Sequence, residues 1–109
     1  MDELTPDTHA RLDFDVFPDD RGSVVIRMSG DLDLSTVKEV EAAAEPWLSR
    51  PPELLVVDVA GLRFADSSAI ALWVRWANVV RQVEIRDASD LLRRLIERMG
   101  LAERLRLVP

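Results

Sequence analysis

An α/β fold is expected, with a mixed sheet of four to five strands that opens on an antiparallel hairpin and has about three to four helices packed on it. Three observations predict it. Two runs of alternating polar and apolar residues near the start are joined by turn chemistry. A short, nearly unbroken apolar run lies in mid-chain, and from there helical and strand patterns alternate to the end.

In the first run Leu12, Phe14 and Val16 alternate with polar residues, as in a half-buried strand, and Val24, Ile26 and Met28 repeat the pattern. Between them lies Pro18-Asp19-Asp20-Arg21-Gly22, where proline presets φ and glycine accepts a positive φ, so the two strands should form a hairpin. After Gly30, Ser35 or Thr36 can cap a helix. Glu39 stands three residues beyond Thr36, as a capping box expects, and Val37, Val40, Ala44, Trp47 and Leu48 supply an apolar stripe. Pro46 should kink this helix or end its regular part near Glu45, with Pro51-Pro52 terminating whatever continues.

The run Leu54-Leu55-Val56-Val57-Asp58-Val59 reads as a strand covered on both faces. Ser67 to Arg81 is expected as the second helix, running almost directly into a short strand, Val83-Glu84-Ile85-Arg86. Ser89 should cap a third helix, Gly100 suits its left-handed C-terminal position, and Leu105-Arg106-Leu107-Val108 adds a final edge strand.

Residues 1–109, 48% of them apolar, suit a single domain, and residues 1–10 read as a loose tail. No apolar run approaches the length of a membrane span, and Met1-Asp2-Glu3-Leu4-Thr5-Pro6 lacks the basic start of a signal peptide. A cytoplasmic location without a membrane partner is expected. The absence of cysteine excludes disulfides and thiol chemistry, and His9 alone cannot build a histidine metal site, so no metal is expected. A net charge of −6 with scattered arginines opposes nucleic-acid binding. Lys38, the only lysine, is given no functional weight.

Ser67 falls at or beside the start of the second helix. There a hydroxyl can satisfy a free backbone N–H, and the positive end of the helix dipole tolerates a phosphate, so Ser67 is either a cap or a phosphoacceptor. Ser68 can supply the cap if Ser67 points outward. Asp33 reads either as a turn aspartate or as part of a surface read by a partner. Asp66, just before a helix, carries the same pair of readings.

Two motifs identify a relative: Gly30-Asp31-Leu32-Asp33-Leu34-Ser35-Thr36, leading from a strand into a helix, and Phe64-Ala65-Asp66-Ser67-Ser68-Ala69-Ile70. With the strand between them and the closing Leu91–Leu101 helix, they make residues 12 to 107 resemble the STAS domain of sulphate transporters and anti-sigma factor antagonists, most closely the free-standing antagonist branch. Ala69 and the junction after Arg81 depart from that branch, which usually has a glycine at each place.

The resemblance implies a STAS fold and a regulatory protein rather than an enzyme. It implies an anti-sigma factor antagonist whose unphosphorylated form binds an anti-sigma factor of the ATP-dependent serine-kinase type and so releases a sigma factor. Phosphorylation of Ser67 by that partner would switch the protein off, and a phosphatase would reverse it. ATP and magnesium would belong to the partner, because this chain has no glycine-rich phosphate loop and needs no cofactor.

Partner-binding residues expected around Ser67 are Asp31, Asp33, Ser35, Asp66, Ser68 and Ala69, together with Leu72 and one of two tryptophans. Ala71, Arg75, Asn78 and Gln82 form a narrow polar stripe on the second helix. The rest is more apolar than one sheet requires, so part of it should stay exposed. One of Trp73 and Trp76 is expected to cover the junction after Arg81, and the other, taken as Trp76, to contact the partner with Leu72. An alternative keeps the fold and removes the switch: a non-phosphorylated STAS regulatory subunit that binds an ABC-type lipid-transport ATPase. Asp31-Leu32-Asp33-Leu34-Ser35 also loosely matches the aspartate nucleophile motif of haloacid-dehalogenase-like phosphatases. Those enzymes need a larger body and a downstream lysine, so the match is read as accidental.

Overall fold

The computed structural model describes residues 11–19 and 21–109. The expected tail and Asp20 of the hairpin turn lie outside them. The elements in order are β1 (Leu12–Pro18), β2 (Val24–Leu32), α1 (Val37–Leu48), β3 (Leu54–Ala65), α2 (Ser67–Ala77), β4 (Gln82–Arg86), α3 (Asp90–Arg98) and β5 (Leu105–Val108). The five strands form one sheet in the order β1-β2-β3-β4-β5, antiparallel between β1 and β2 and parallel elsewhere. The expected hairpin and mixed sheet are therefore present.

The hairpin closes on Asp19, whose carboxylate accepts the N–H groups of Arg21 (2.8 Å) and Ser23 (3.2 Å), while Gly22 takes φ +83°. Each later strand is reached by one helix, and each lies on the same side of its predecessor. Right-handed crossovers that always step the same way deliver all three helices to one face. The register confirms it. Val24, Leu55, Val83 and Leu105 stand side by side across four strands, as do Ile26, Val57 and Ile85, and these residues share one core with Val40 and Ala44 of α1, Ile70 and Trp73 of α2, and Leu92 and Ile96 of α3.

The opposite row, Val25, Val56, Glu84 and Arg106, lies on a face that no helix covers. β3 is buried on both faces as expected, with Leu55 and Val57 0% and Val56 1% exposed, but only one of the two covers is helical. Val56 is buried on the open side among side chains of neighbouring strands. Arg27 on that side stacks 5.1 Å from the centre of the Phe17 ring and pairs with Asp58 at 3.7 Å. An apolar run cannot distinguish a helix from such a cover.

Two helix limits also differ from expectation. Helix α1 continues through Pro46 to Leu48, because Pro46 and Ala42 lie on its exposed side, where water can take the carbonyl bond that proline cannot make. Helix α2 ends at Ala77, not Arg81. The N–H groups of Val79 and Val80 turn back to the Trp76 carbonyl, and Gln82 must already pair opposite Leu54, its N–H bonding to Glu53 O at 3.1 Å. Ser89 caps α3 by accepting the Leu92 N–H at 3.2 Å, and Gly100 takes φ +73°, both as expected.

Gly30 decides how β1 meets the end of β2. It has φ +101°, and a Cβ there would lie 2.1 Å from the Arg11 carbonyl oxygen, which accepts the Asp31 N–H at 2.6 Å. Gly30→Ala should therefore cost at least about 2 kcal/mol through backbone strain plus displacement of Arg11. Denaturant unfolding measures this, and a loss below half that value would show that the β1 edge moves freely.

Candidate functional site

The sheet places both sequence motifs at one end. In the parallel pair, Asp31 stands opposite Phe64 and Leu32 opposite Ala65, so Asp33 and Asp66 each follow a matched position on adjacent strands, whose usual spacing is about 4.8 Å. The register reaches this match only because β3 holds extra residues relative to β2, between the Arg27 and Ser29 pairings and again between those of Gly30 and Asp31. At the first of these Gly61 is needed, since a Cβ would meet Ser29 Cβ at 2.7 Å. The starts of α1 and α2 thus lie beyond the C-terminal ends of neighbouring strands, the usual place for function in such sheets.

The first loop is organised by Asp33. Its Oδ1 accepts the Ser35 hydroxyl (2.7 Å), the Ser35 N–H (2.9 Å) and the Thr36 N–H (3.2 Å), and its Oδ2 pairs with the Arg11 guanidinium, which also donates to Ser35 Oγ at 3.0 Å. Thr36 does not form the expected capping box. Its hydroxyl turns back to donate to the Asp31 carbonyl at 2.9 Å and to accept the Asp33 N–H at 3.0 Å, and its side chain makes no cap bond to α1. Of the two readings of Asp33, the turn aspartate matches this geometry, and the loop it holds presents Leu34, 72% exposed, and Ser35.

The second loop puts Ser67 at the first position of α2, exposed, with no side-chain hydrogen bond among the described residues. The cap belongs to neither serine. Asp66 is the N-cap, its backbone extended and its carboxylate accepting the Ser68 N–H at 2.8 Å. Ser68 is half-buried. Asp31 is also half-buried and lies 3.4 Å from Arg63, a surface pair of small energetic weight.

Three expected partner contacts are corrected. Ala69, Leu72 and Trp76 belong to the buried core, as does Trp73, and of the four only Trp76 reaches the surface, 4% exposed in the floor of a groove between α1 and α2 that Lys38, Glu41 and Val79 also line. Both tryptophans point inward because α2 packs over the centre of a one-sided core, which takes up Leu72, Trp73 and Trp76 and leaves exposed the line of Ser67, Ala71, Arg75 and Asn78; of the expected apolar arc only Val79, 49% exposed just past the helix, stays outside. Arg75 reaches across to Glu41 of α1 at 3.2 Å. The buried Trp73 indole N–H has no partner among the described residues.

Sequence reasoning passed over two apolar residues at the surface. Leu34 and Phe64, the latter 49% exposed, lie in the two quoted motifs, and Leu34 carried a signal, being an apolar residue between a turn aspartate and two hydroxyls. Phe64 carried none, because its outward direction depends on the irregular β3 register. Arg11, which anchors Asp33, was likewise missed. No group of His, Asp and Glu side chains among the described residues could hold a metal ion, and no described helix is long and apolar enough to cross a membrane.

The arrangement offers an unencumbered hydroxyl at a helix start, beside a rigid loop, with exposed apolar side chains on either hand. It can accept a group or dock a surface. The Ser35 hydroxyl, outweighing the desolvation that acts in the opposite sense, holds the Asp33 carboxyl below its ordinary value of 3.8, with the Ser35 N–H, Arg11 and the Thr36 N–H adding to it. A lowered folded-state value means that Asp33 stabilises the domain above pH 3.8 and that this contribution is lost as pH falls through its folded value. Stability should thus drop on acidification below about pH 4, and Asp33→Asn should flatten that part of the profile; an unchanged profile would remove Asp33 as the organiser of the loop. Trp76→Ala should cost about 3–5 kcal/mol of stability, read by denaturant unfolding, whereas a mere surface contact would cost under about 0.5 kcal/mol.

The comparisons with known proteins agree on the architecture. The family model described as "Mlab, STAS domain" matches residues 17–109. An anti-sigma factor antagonist from Mycobacterium paratuberculosis shares the fold with a TM-score of 0.80 and 23% identity, over 90% of this chain and 86% of that one. SpoIIAA in its unphosphorylated form, also an anti-sigma factor antagonist, gives a TM-score of 0.74 at 20% identity over 89% of both chains. The Bacillus cell fate determinant SpoIIAA in the phosphorylated form gives 0.71 at 20% identity, over 89% of this chain and 92% of that one. No curated protein matches this chain by sequence.

Proposed function

The chain belongs to the STAS domain family, and from that premise we propose that it is an anti-sigma factor antagonist, switched by phosphorylation of Ser67. In this reading its unphosphorylated form binds an anti-sigma factor of the ATP-dependent serine-kinase type, which brings the ATP and magnesium, and a phosphatase restores the serine. The protein itself performs no catalysis and acts in the cytoplasm. One observation carries the proposal: Ser67 is exposed at the head of α2 while Asp66 supplies the cap, so the hydroxyl has no structural duty to abandon on modification.

Magnitudes place the switch at the interface. A phosphate adds about −1.5 to −2 charges, but at a helix start the dipole favours it by only about 0.3–1 kcal/mol, so the fold changes little. Desolvating the same charge against a partner costs several kcal/mol unless it is paired, and each 1.4 kcal/mol weakens binding about tenfold. The contact surface is drawn from what α2 leaves outside: Ser67 and Ala71, Ser35 and Leu34 on the Asp33 loop, and Phe64, with Asp31, Asp66 and Ser68 shaping its floor.

The cognate kinase with ATP should label wild type and not Ser67→Ala, and since Ser67 is not the cap, that variant should unfold within about 0.5 kcal/mol of wild type. Ser67→Asp should weaken kinase binding about tenfold or more at nearly unchanged melting temperature, measured by calorimetric titration beside a melt. Labelling that moves to Ser68, or a Ser67→Asp variant that binds as tightly as wild type, would overturn the proposal. Absence of labelling, with binding to a lipid-transport ATPase instead, would establish the alternative.

A further inference from the structure

Strand β3 outruns its neighbour. β4 pairs only with Leu54–Asp58, so residues 59–65, which pair with β2 at Gly61, Leu62, Phe64 and Ala65, have no strand on the other side. A strand edge without a neighbour presents backbone N–H and C=O groups to whatever lies beside it; here the row is broken by the two register shifts of β3 and by Ala60, whose N–H already bonds to Asp58 Oδ1 at 3.1 Å. Helix α3 flanks the edge without covering it, leaving a groove of about 320 Å³ that has Leu62, Leu92 and Leu95 among its apolar lining.

Arginines supply the charge of the groove's lining, with the Asp31 carboxylate beside it paired to Arg63 at 3.4 Å. Along α3 the residues turned toward it follow helical spacing, Leu91, Arg94, Leu95 and Arg98, and Arg63 stands on the strand side. Arg94 and Arg98 make no ion pair among the described residues, in a protein whose net charge is −6. Leu91 is 76% exposed. The groove opens to solvent along Leu91, Arg94 and Arg98, all exposed. A free strand edge facing a helix is the geometry by which an extended peptide is added to a sheet, its main chain bonding to the edge and alternate side chains entering the groove.

We propose that the groove between the free edge of β3 and α3 binds an extended segment of a partner protein in which apolar residues alternate with carboxylates, added as a strand along residues 59–65. Apolar side chains enter the groove against Leu62 and Leu95, and the carboxylates meet Arg63, Arg94 and Arg98. This binding needs no phosphorylation and does not rest on the role given to Ser67.

The probe is a fluorescein-labelled peptide of about eight residues alternating valine with glutamate, a length that matches a typical strand, compared by anisotropy with its lysine counterpart and with a copy N-methylated at alternate backbone nitrogens. The glutamate peptide should bind at least about tenfold more tightly than either control, and slower amide exchange within residues 61–65 should accompany it. Arg94→Glu with Arg98→Glu, both exposed and therefore compatible with an unchanged melt, should abolish the preference for glutamate over lysine, while Ser67→Asp should leave peptide binding within about twofold. Equal binding of the glutamate and lysine peptides, no loss on N-methylation, or no binding at all would overturn the proposal. So would stronger association with phosphatidylglycerol vesicles than with the peptide, which would make the groove a membrane contact.

Discussion

The parallel pairing of β2 with β3 is the constraint on which the rest of the molecule depends. It carries the central rows of the core, with Val24 beside Leu55 and Ile26 beside Val57, and it brings Leu32 level with Ala65, so that the Asp33 loop and the head of α2 emerge side by side. The pairing tolerates two irregularities, the first at Gly61, where only glycine fits against Ser29. Between them these irregularities hold the core residues inward below and turn Asp31 and Phe64 outward above.

The order of strands has a further consequence. Because each crossover steps in the same direction, the helices share one face, and that single layer must bury its sheet with few residues. Helix α2 responds by turning Trp73, Trp76 and Leu72 inward, and so gives up the apolar contact surface that its composition suggests. The end of the domain that carries the two motifs takes its exposed apolar groups from elsewhere, from Leu34, Phe64 and Leu91, each in or beside a loop at the C-terminal end of the strands. A large apolar side chain at such a position costs solubility and gives no core stability, which fits a surface kept for contact.

Division of labour within the loops keeps Ser67 available. Asp33 ties Arg11, Ser35 and Thr36 into one network, and Asp66 caps α2, so neither loop relies on the Ser67 hydroxyl. A modification there meets a scaffold that is already complete. A scaffold fixed beneath Ser67 and independent of its hydroxyl is what the proposed switch, a surface signal without a change of fold, requires.

The sequence by itself determined the α/β class, the hairpin, the five strands, the capped third helix with its terminal glycine, the family, and the position of Ser67 at a helix start. The family rests on the resemblance of the Gly30–Thr36 and Phe64–Ile70 motifs, and the others on short-range signals: alternation, helical spacing, Ser89, Gly22 and Gly100. Only the tertiary structure decided which serine-proximal group caps α2, that Thr36 turns back to Asp31, that Pro46 lies inside α1, that α2 ends at Ala77, and that Ala69, Leu72 and Trp76 belong to the core. The reason is physical. An apolar arc on a helix reports that burial is needed but not against what, and a hydroxyl or carboxylate near a helix start reports a donor or acceptor but not its partner. Those partners, Arg11 from twenty-two residues away among them, are assigned by strand order and register, which no local pattern encodes.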